Sequence, residues 1–139
     1  MDKFQFLLGT WDLEYRIPES KFSPEGTDLG TGKFERMLND KYVSFEYSTD
    51  SGGAAKGIFG WDDKSRLYRY WWFENSGNFL SATCEFTDEE TLAMNWHDSL
   101  LVQTFSKVGP DKVILKMQYP FAGGYETVLE VILKRNRSV

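Results

Sequence analysis

From Gly9 the chain alternates strictly, with Trp11, Leu13, Tyr15 and Ile17 on one face and Thr10, Asp12, Glu14 and Arg16 on the other. That two-residue period is the mark of a strand with one buried face. A short apolar lead-in, Phe4-Gln5-Phe6-Leu7-Leu8, precedes it and predicts at most one short helix or turn over Asp2–Leu8. Gly9 at the junction permits the tight backbone with which a closing segment enters the first strand, and Trp11 then has a large apolar surface to bury at one end. Between Pro18 and Gly30 the residues Pro18, Ser20, Ser23, Pro24, Glu25, Gly26 and Gly30 break both periodicities. A long surface loop is predicted there, whose functional reading is a lid.

Strands are then predicted over Thr31–Asn39, Tyr42–Thr49, Ala54–Trp61, Arg66–Glu74, Phe79–Phe86, Thr91–Trp96, Leu100–Ser106, Lys112–Tyr119 and Tyr125–Lys134. They recur at the spacing of about 8–12 residues typical of all-β sandwiches and barrels. The connections are short and carry turn chemistry, as in Asn39-Asp40, Asp50-Ser51-Gly52-Gly53, Asn75-Ser76-Gly77-Asn78, Gly109-Pro110-Asp111 and Ala122-Gly123-Gly124. Each strand should therefore pair with the next. No gap is long enough for a crossover helix, which excludes a parallel α/β sheet and any dinucleotide fold. An open meander of this length exposes edges, and closure removes them. The expected fold is an all-β, antiparallel up-and-down barrel of about ten strands, one domain over residues 1–139.

Composition sharpens this picture. Aromatic residues make up 17% of the 139 positions, with five Trp, seven Tyr and eleven Phe, which favours pleated surfaces or a lined cavity over a helical bundle. A formal net charge of −5 argues against a phosphate-backbone partner, so no nucleic acid is expected. No apolar run approaches the roughly 20 residues of a membrane span, and Met1-Asp2-Lys3 leads into too short an apolar stretch for a signal peptide, which makes the expected location cytoplasmic. The single Cys84 excludes an internal disulfide and any cysteine-rich metal site.

Gly9-Thr10-Trp11 on the first strand and Lys134-Arg135 at the end of the last resemble the signature of calycins, the lipocalin and fatty-acid-binding-protein superfamily. The resemblance implies that Trp11 packs beneath the barrel against Arg135, with Gly9 beside them. More narrowly, Arg36-Met37-Leu38, Lys56-Gly57-Ile58-Phe59-Gly60-Trp61-Asp62, Tyr68, Trp72 and Glu130-Val131-Ile132-Leu133-Lys134-Arg135 resemble an uncharacterised, mostly bacterial lipocalin-like domain family of unknown function. The chain departs from that pattern where aromatics crowd the middle strands, at Trp61, Trp71, Trp72 and Trp96.

The strand Arg66–Glu74 sets Tyr68, Tyr70, Trp72 and Glu74 against Leu67, Arg69, Trp71 and Phe73, so both faces are largely apolar. The family resemblance points the first set inward, giving an aromatic interior with a carboxylate near its end. The outward set, with Trp71 and Phe73, would be a stripe suited to a homodimer interface. Arg36, Glu74 and Glu130 lie on strands with apolar neighbours, and a buried charge persists only when paired. They are the candidate polar anchors, with Arg36 foremost for an acidic ligand. The expected function is non-enzymatic binding of one small hydrophobic or aromatic ligand, touched by Arg36, Tyr68, Tyr70, Trp72, Glu74 and Glu130, with no metal and no cofactor.

Three other readings stay open. An isomerase or cyclase acting on a hydrophobic substrate would use a carboxylate pair such as Glu74 and Glu130 in a dry pocket. A homodimeric interaction module would have a filled barrel. A haem binder, by resemblance to nitrobindin-type barrels, would ligate iron through a lone histidine. His97 is the one histidine, but it precedes Asp98-Ser99 at a predicted turn, whereas the ligand histidine of those barrels lies near the chain end. No Ser-His-Asp or Cys-His spacing is readable, and Cys84 reads as a small buried hydrophobe.

Overall fold

The computed structural model describes residues 1–19, 24–97 and 99–136. A 3-10 turn, Asp2–Leu7, leads into ten strands: β1 (Gly9–Ile17), β2 (Gly26–Met37), β3 (Tyr42–Thr49), β4 (Ala54–Asp62), β5 (Leu67–Glu74), β6 (Phe79–Asp88), β7 (Thr91–Trp96), β8 (Val102–Gly109), β9 (Lys112–Phe121) and β10 (Gly124–Arg135). Each strand pairs antiparallel with the next, and β10 returns to β1, closing an up-and-down barrel with no free edge. Among the described residues no helix is long and apolar enough to cross a membrane.

Most strand limits fall within two residues of those predicted, and β2 is the main exception. It starts at Gly26 rather than Thr31 and pairs with β1 from Ile17↔Gly26 to Gly9↔Phe34. The Gly- and Pro-rich composition pointed to a loop, but Thr27, Asp28 and Leu29 continue the ladder to β1. Gly26, Gly30 and Gly32 fall on the inward face of β2 with only the polar Asp28 among them, so no apolar side chain shows the alternation there. The remaining part of the predicted loop includes Ser20–Ser23, which lie outside the described residues.

Alternation along the strands sorts the side chains. Inward positions such as Phe34, Val43, Phe45, Phe59, Tyr70, Leu92, Met94, Phe105 and Val113 are buried, and outward ones are mostly polar or charged. The barrel has a closed end, where β1 begins and β10 finishes, and an open end. At the closed end Phe4, Leu7 and Trp11 are fully buried. Phe4 plugs the barrel, its ring 5.0 Å from Phe59 and 5.3 Å from Tyr68.

Trp11 sits opposite Arg135 in the β1–β10 ladder. Its indole N–H donates to the Leu7 carbonyl at 2.8 Å, which satisfies the one polar atom of a buried ring. The Arg135 guanidinium lies 4.2 Å from the indole centroid, donates to the carbonyls of Leu8 and Phe6 and pairs with Asp111 at 3.2 Å. Gly9 adopts φ +122°, and a Cβ there would stand 2.5 Å from the Arg135 guanidinium. The closing segment, first strand and last strand thus meet at one stacked pair.

The Gly57–Asp62 stretch has a structural explanation too. A Cβ at Gly57 would collide with the Tyr70 ring, its hydroxyl only 1.8 Å away. Asp62 ends β4 by accepting from Arg69 Nε at 2.7 Å and from the backbone amides of Lys64 and Ser65 at 3.0 and 3.3 Å. The Arg69 guanidinium, helped by the Ser65 amide, holds the Asp62 carboxyl down at about 2. This motif builds the barrel wall and a closed-end turn; it contributes no group to the cavity described next.

Candidate functional site

The interior divides into two halves. Toward the closed end the aromatic rings are in contact: Phe34 stacks on Phe45 at 4.1 Å, Phe59 lies tilted against Tyr70 at 4.1 Å, and Phe105 is edge-on to Phe34 at 5.9 Å. Toward the open end the strands continue but the large inward side chains thin out. A cavity of about 540 Å³ opens there, within the range of about 300–1,000 Å³ typical of small-molecule sites.

Its floor is Phe45, Trp96 and Gln103, with the Trp96 indole donating to Gln103 Oε1 at 3.1 Å so that both buried polar groups are satisfied. Its walls are mainly apolar: Leu13, Leu101, Leu115, Met117, Leu129, Val131 and Leu133. Tyr15, Tyr47 and Trp72 form an aromatic side, with Tyr47 stacked on Trp72 at 5.5 Å and 5.8 Å from Tyr15. Polar atoms gather at the mouth. The Trp72 indole donates to Glu74 Oε2 at 3.0 Å, Ser76 donates to Glu74 Oε1 at 3.2 Å, and Ser99 Oγ lies 2.9 Å from the Tyr119 hydroxyl. Burial raises the Tyr15 phenol well above its ordinary range, and burial with the nearby Glu74 carboxylate raises Tyr47. Both are therefore neutral donor–acceptor groups at any physiological pH.

The six expected ligand contacts separate in space. Trp72 and Glu74 line the cavity. Tyr70 is fully buried below it, touching Trp72 at 5.8 Å and Trp96 at 5.7 Å. Tyr68 points inward one step further down, against Phe4 and Phe86 near the plug. Arg36 is also at the closed end, where its guanidinium bonds to Asp2 at 3.2 Å and Gln5 at 3.1 Å. It ties down the N-terminal 3-10 turn and is remote from the cavity, because β2 runs from the open end to the closed end and Arg36 comes near its finish. Glu130 faces outward: in the regular part of β10 it alternates with the inward Leu129, Val131 and Leu133 and stands opposite Arg16 on the outer surface. Glu74 and Glu130 are consequently not brought together as an acid–base pair.

Tyr15, Tyr47, Trp96, Gln103, Met117, Tyr119 and Leu129 line the cavity but were not among the ligand contacts expected from the sequence. Alternation carried the signal for Tyr15 and Tyr47, since each shares the inward face of its strand with a core residue, Leu13 and Phe45.

Other reactive groups lie away from the cavity. His97 is exposed in the turn after β7, its Nδ1 2.8 Å from Ser81 Oγ. Cys84 is buried and free, and burial pushes its thiol up to about 12. It should react with a thiol-specific disulfide reagent only at the rate of unfolding; rapid stoichiometric labelling of native protein would contradict this placement. A second concavity of similar volume lies on the outer face of β2–β4, but it is shallow and solvent-open and is crossed by the Lys56–Glu46 pair at 3.4 Å. Trp71 and Phe73, 39% and 50% exposed, project outward from β5 with Ile58 and Leu38 beside them.

The architecture defines the class: a closed, ten-stranded, antiparallel up-and-down β-barrel. No family model and no curated protein sequence matches the chain. Among solved structures it is similar to Rv2717c from M. tuberculosis, at 13% identity and a TM-score of 0.65, over 99% of each chain. It is also similar to the S-type phycobiliprotein lyase CPES from Guillardia theta, at 14% identity and a TM-score of 0.52, over 99% of this chain and 93% of that one. At such identities the likeness shows the fold.

Proposed function

We propose that the protein is a non-enzymatic binder of one small, largely apolar ligand, held in the open half of the barrel. The observation that carries this reading is the division of the interior. One half is filled by contacting rings, and the other keeps a cavity of about 540 Å³ with an aliphatic and aromatic wall, one hydrogen-bonded polar pair in its floor and further polar atoms at its mouth. Small-molecule sites have this composition, a mainly apolar concavity with a few placed polar groups. The ligand is argued from the cavity alone, since a shared fold does not carry a function.

Binding rather than catalysis follows from the polar inventory. Glu74 already accepts two hydrogen bonds, and the described residues of the lining include no histidine, lysine or cysteine to complete a proton relay or supply a nucleophile.

A neutral solvatochromic probe such as Nile red tests this. Its emission should rise on binding and tryptophan emission should fall. Trp72→Ala should weaken binding roughly tenfold through lost contact area and stacking, whereas Trp71→Ala, on the outer face of the same strand, should change it less than about twofold. Binding that depends on Trp71 and not Trp72 would place the probe on the outer stripe and refute the cavity reading.

A further inference from the structure

The mouth of the cavity has a one-sided charge. Glu74 reaches it from β5, its carboxylate held by Trp72 and Ser76 with one donor on each oxygen, so each oxygen keeps accepting capacity for a further partner. Asp28 adds a second carboxylate from β2. It stands opposite Tyr15 in the β1–β2 ladder and therefore on the same inward face, where its charge contributes to raising the Tyr15 phenol. Glu126 adds a third from β10, opposite Tyr119 in the β9–β10 ladder, and its buried Oε2 has no hydrogen-bond partner among the described residues.

Among the described residues no compensating cation accompanies them. None of the residues lining the cavity is Lys, Arg or His, and Asp28, Glu74 and Glu126 form no ion pair with a described residue. Arg36, the basic group expected inside, is spent at the opposite end on Asp2 and Gln5. Between the carboxylates stand the rings of Tyr15, Tyr47 and Trp72, whose faces and phenol oxygens attract a cation and offer nothing to an anion. A fatty acid or aromatic acid would meet like charge in a partly desolvated site, which costs affinity.

We infer that the ligand is an organic amine: an apolar, preferably aromatic body seated among Trp72, Met117, Leu115 and Leu129, with a protonated nitrogen at the mouth against Glu74. This rests on the cavity reading above and narrows it to a charge class.

Three probes of one shape separate the two: 2-naphthylmethylamine, 2-naphthylmethanol and 2-naphthoate, titrated calorimetrically into the full-length protein. The amine should bind roughly tenfold tighter than the alcohol, the size expected of a cation beside a carboxylate and aromatic faces, and the carboxylate should bind more weakly than the alcohol. Glu74→Gln should remove most of the amine's advantage while leaving the alcohol within about twofold, since the amide keeps the side chain's shape. The ranking of the three probes on the unmodified protein stands whether or not that variant folds well. Alcohol binding with no gain for the amine, or tighter binding of the naphthoate, would overturn the amine assignment, and an amine advantage that survives Glu74→Gln would overturn the seating of the nitrogen against Glu74; each leaves the cavity standing. Failure of all three to bind would overturn both.

Discussion

Trp11→Ala should lower the free energy of unfolding by about 3–5 kcal/mol, the usual cost of emptying a large buried aromatic site. The ring is fully buried beneath the barrel, and its indole N–H holds the Leu7 carbonyl at 2.8 Å, so truncation leaves both a void and an orphaned acceptor in the closing segment. Arg135→Ala should cost less, since the stacked cation contributes on the order of 0.5–2 kcal/mol, together with its bonds to Leu8, Phe6 and Asp111. Because the guanidinium lies 4.2 Å from the ring, the two substitutions should be non-additive in a double-mutant cycle followed by urea unfolding. Additive losses would mean that the two side chains act independently, and a loss under about 1 kcal/mol for Trp11→Ala would remove the closed end as a source of stability.

Phe59→Ala should be about as damaging, again about 3–5 kcal/mol, and its contrast with Leu129→Ala probes the two halves of the barrel. Phe59 is fully buried and touches Phe4, Phe34 and Tyr70. Leu129 is half-buried and borders the cavity, so one side of it has few partner atoms to lose. A buried leucine commonly costs about 2–5 kcal/mol on truncation to alanine, and Leu129 should fall below about 1.5. Equal losses at the two positions would indicate an interior packed throughout.

The architecture was legible in the sequence because a two-residue period with short polar turns leaves few topologies for a chain without crossover segments. Where side-chain alternation failed, so did the reading. The start of β2 is glycine on its inward face, and the backbone ladder to β1 decides its conformation. Site residues were harder for a related reason. Alternation tells which residues share a face: it grouped Tyr68, Tyr70, Trp72 and Glu74, and the family resemblance pointed that face inward. It does not tell how far along the barrel axis the filled core stops. Tyr70 and Trp72 are two residues apart on one strand, yet the first is sealed in the core and the second faces the cavity. Arg36 shows the same limit, inward on its strand but at the plugged end, where the N-terminal turn supplies its partners. Glu130 shows another: Val128-Leu129 and Val131-Ile132-Leu133 put apolar residues on both faces of β10, so the sequence does not tell which face Glu130 takes.

The cavity as a binding site is tested most directly by methyl nuclear magnetic resonance during titration with 2-naphthylmethanol, which carries no charge and so does not depend on the amine assignment. Ring currents from the bound naphthalene should shift the methyl signals of Leu101, Leu115, Met117, Leu129 and Val131, which border the cavity. Val43, Leu92 and Val113, in the packed half, should remain within the noise. Saturable shifts confined to the first group are the predicted result. Shifts at Ile58 and Leu38 beside the outward Trp71, or no saturable shift anywhere, would contradict the binding of a small molecule inside this barrel.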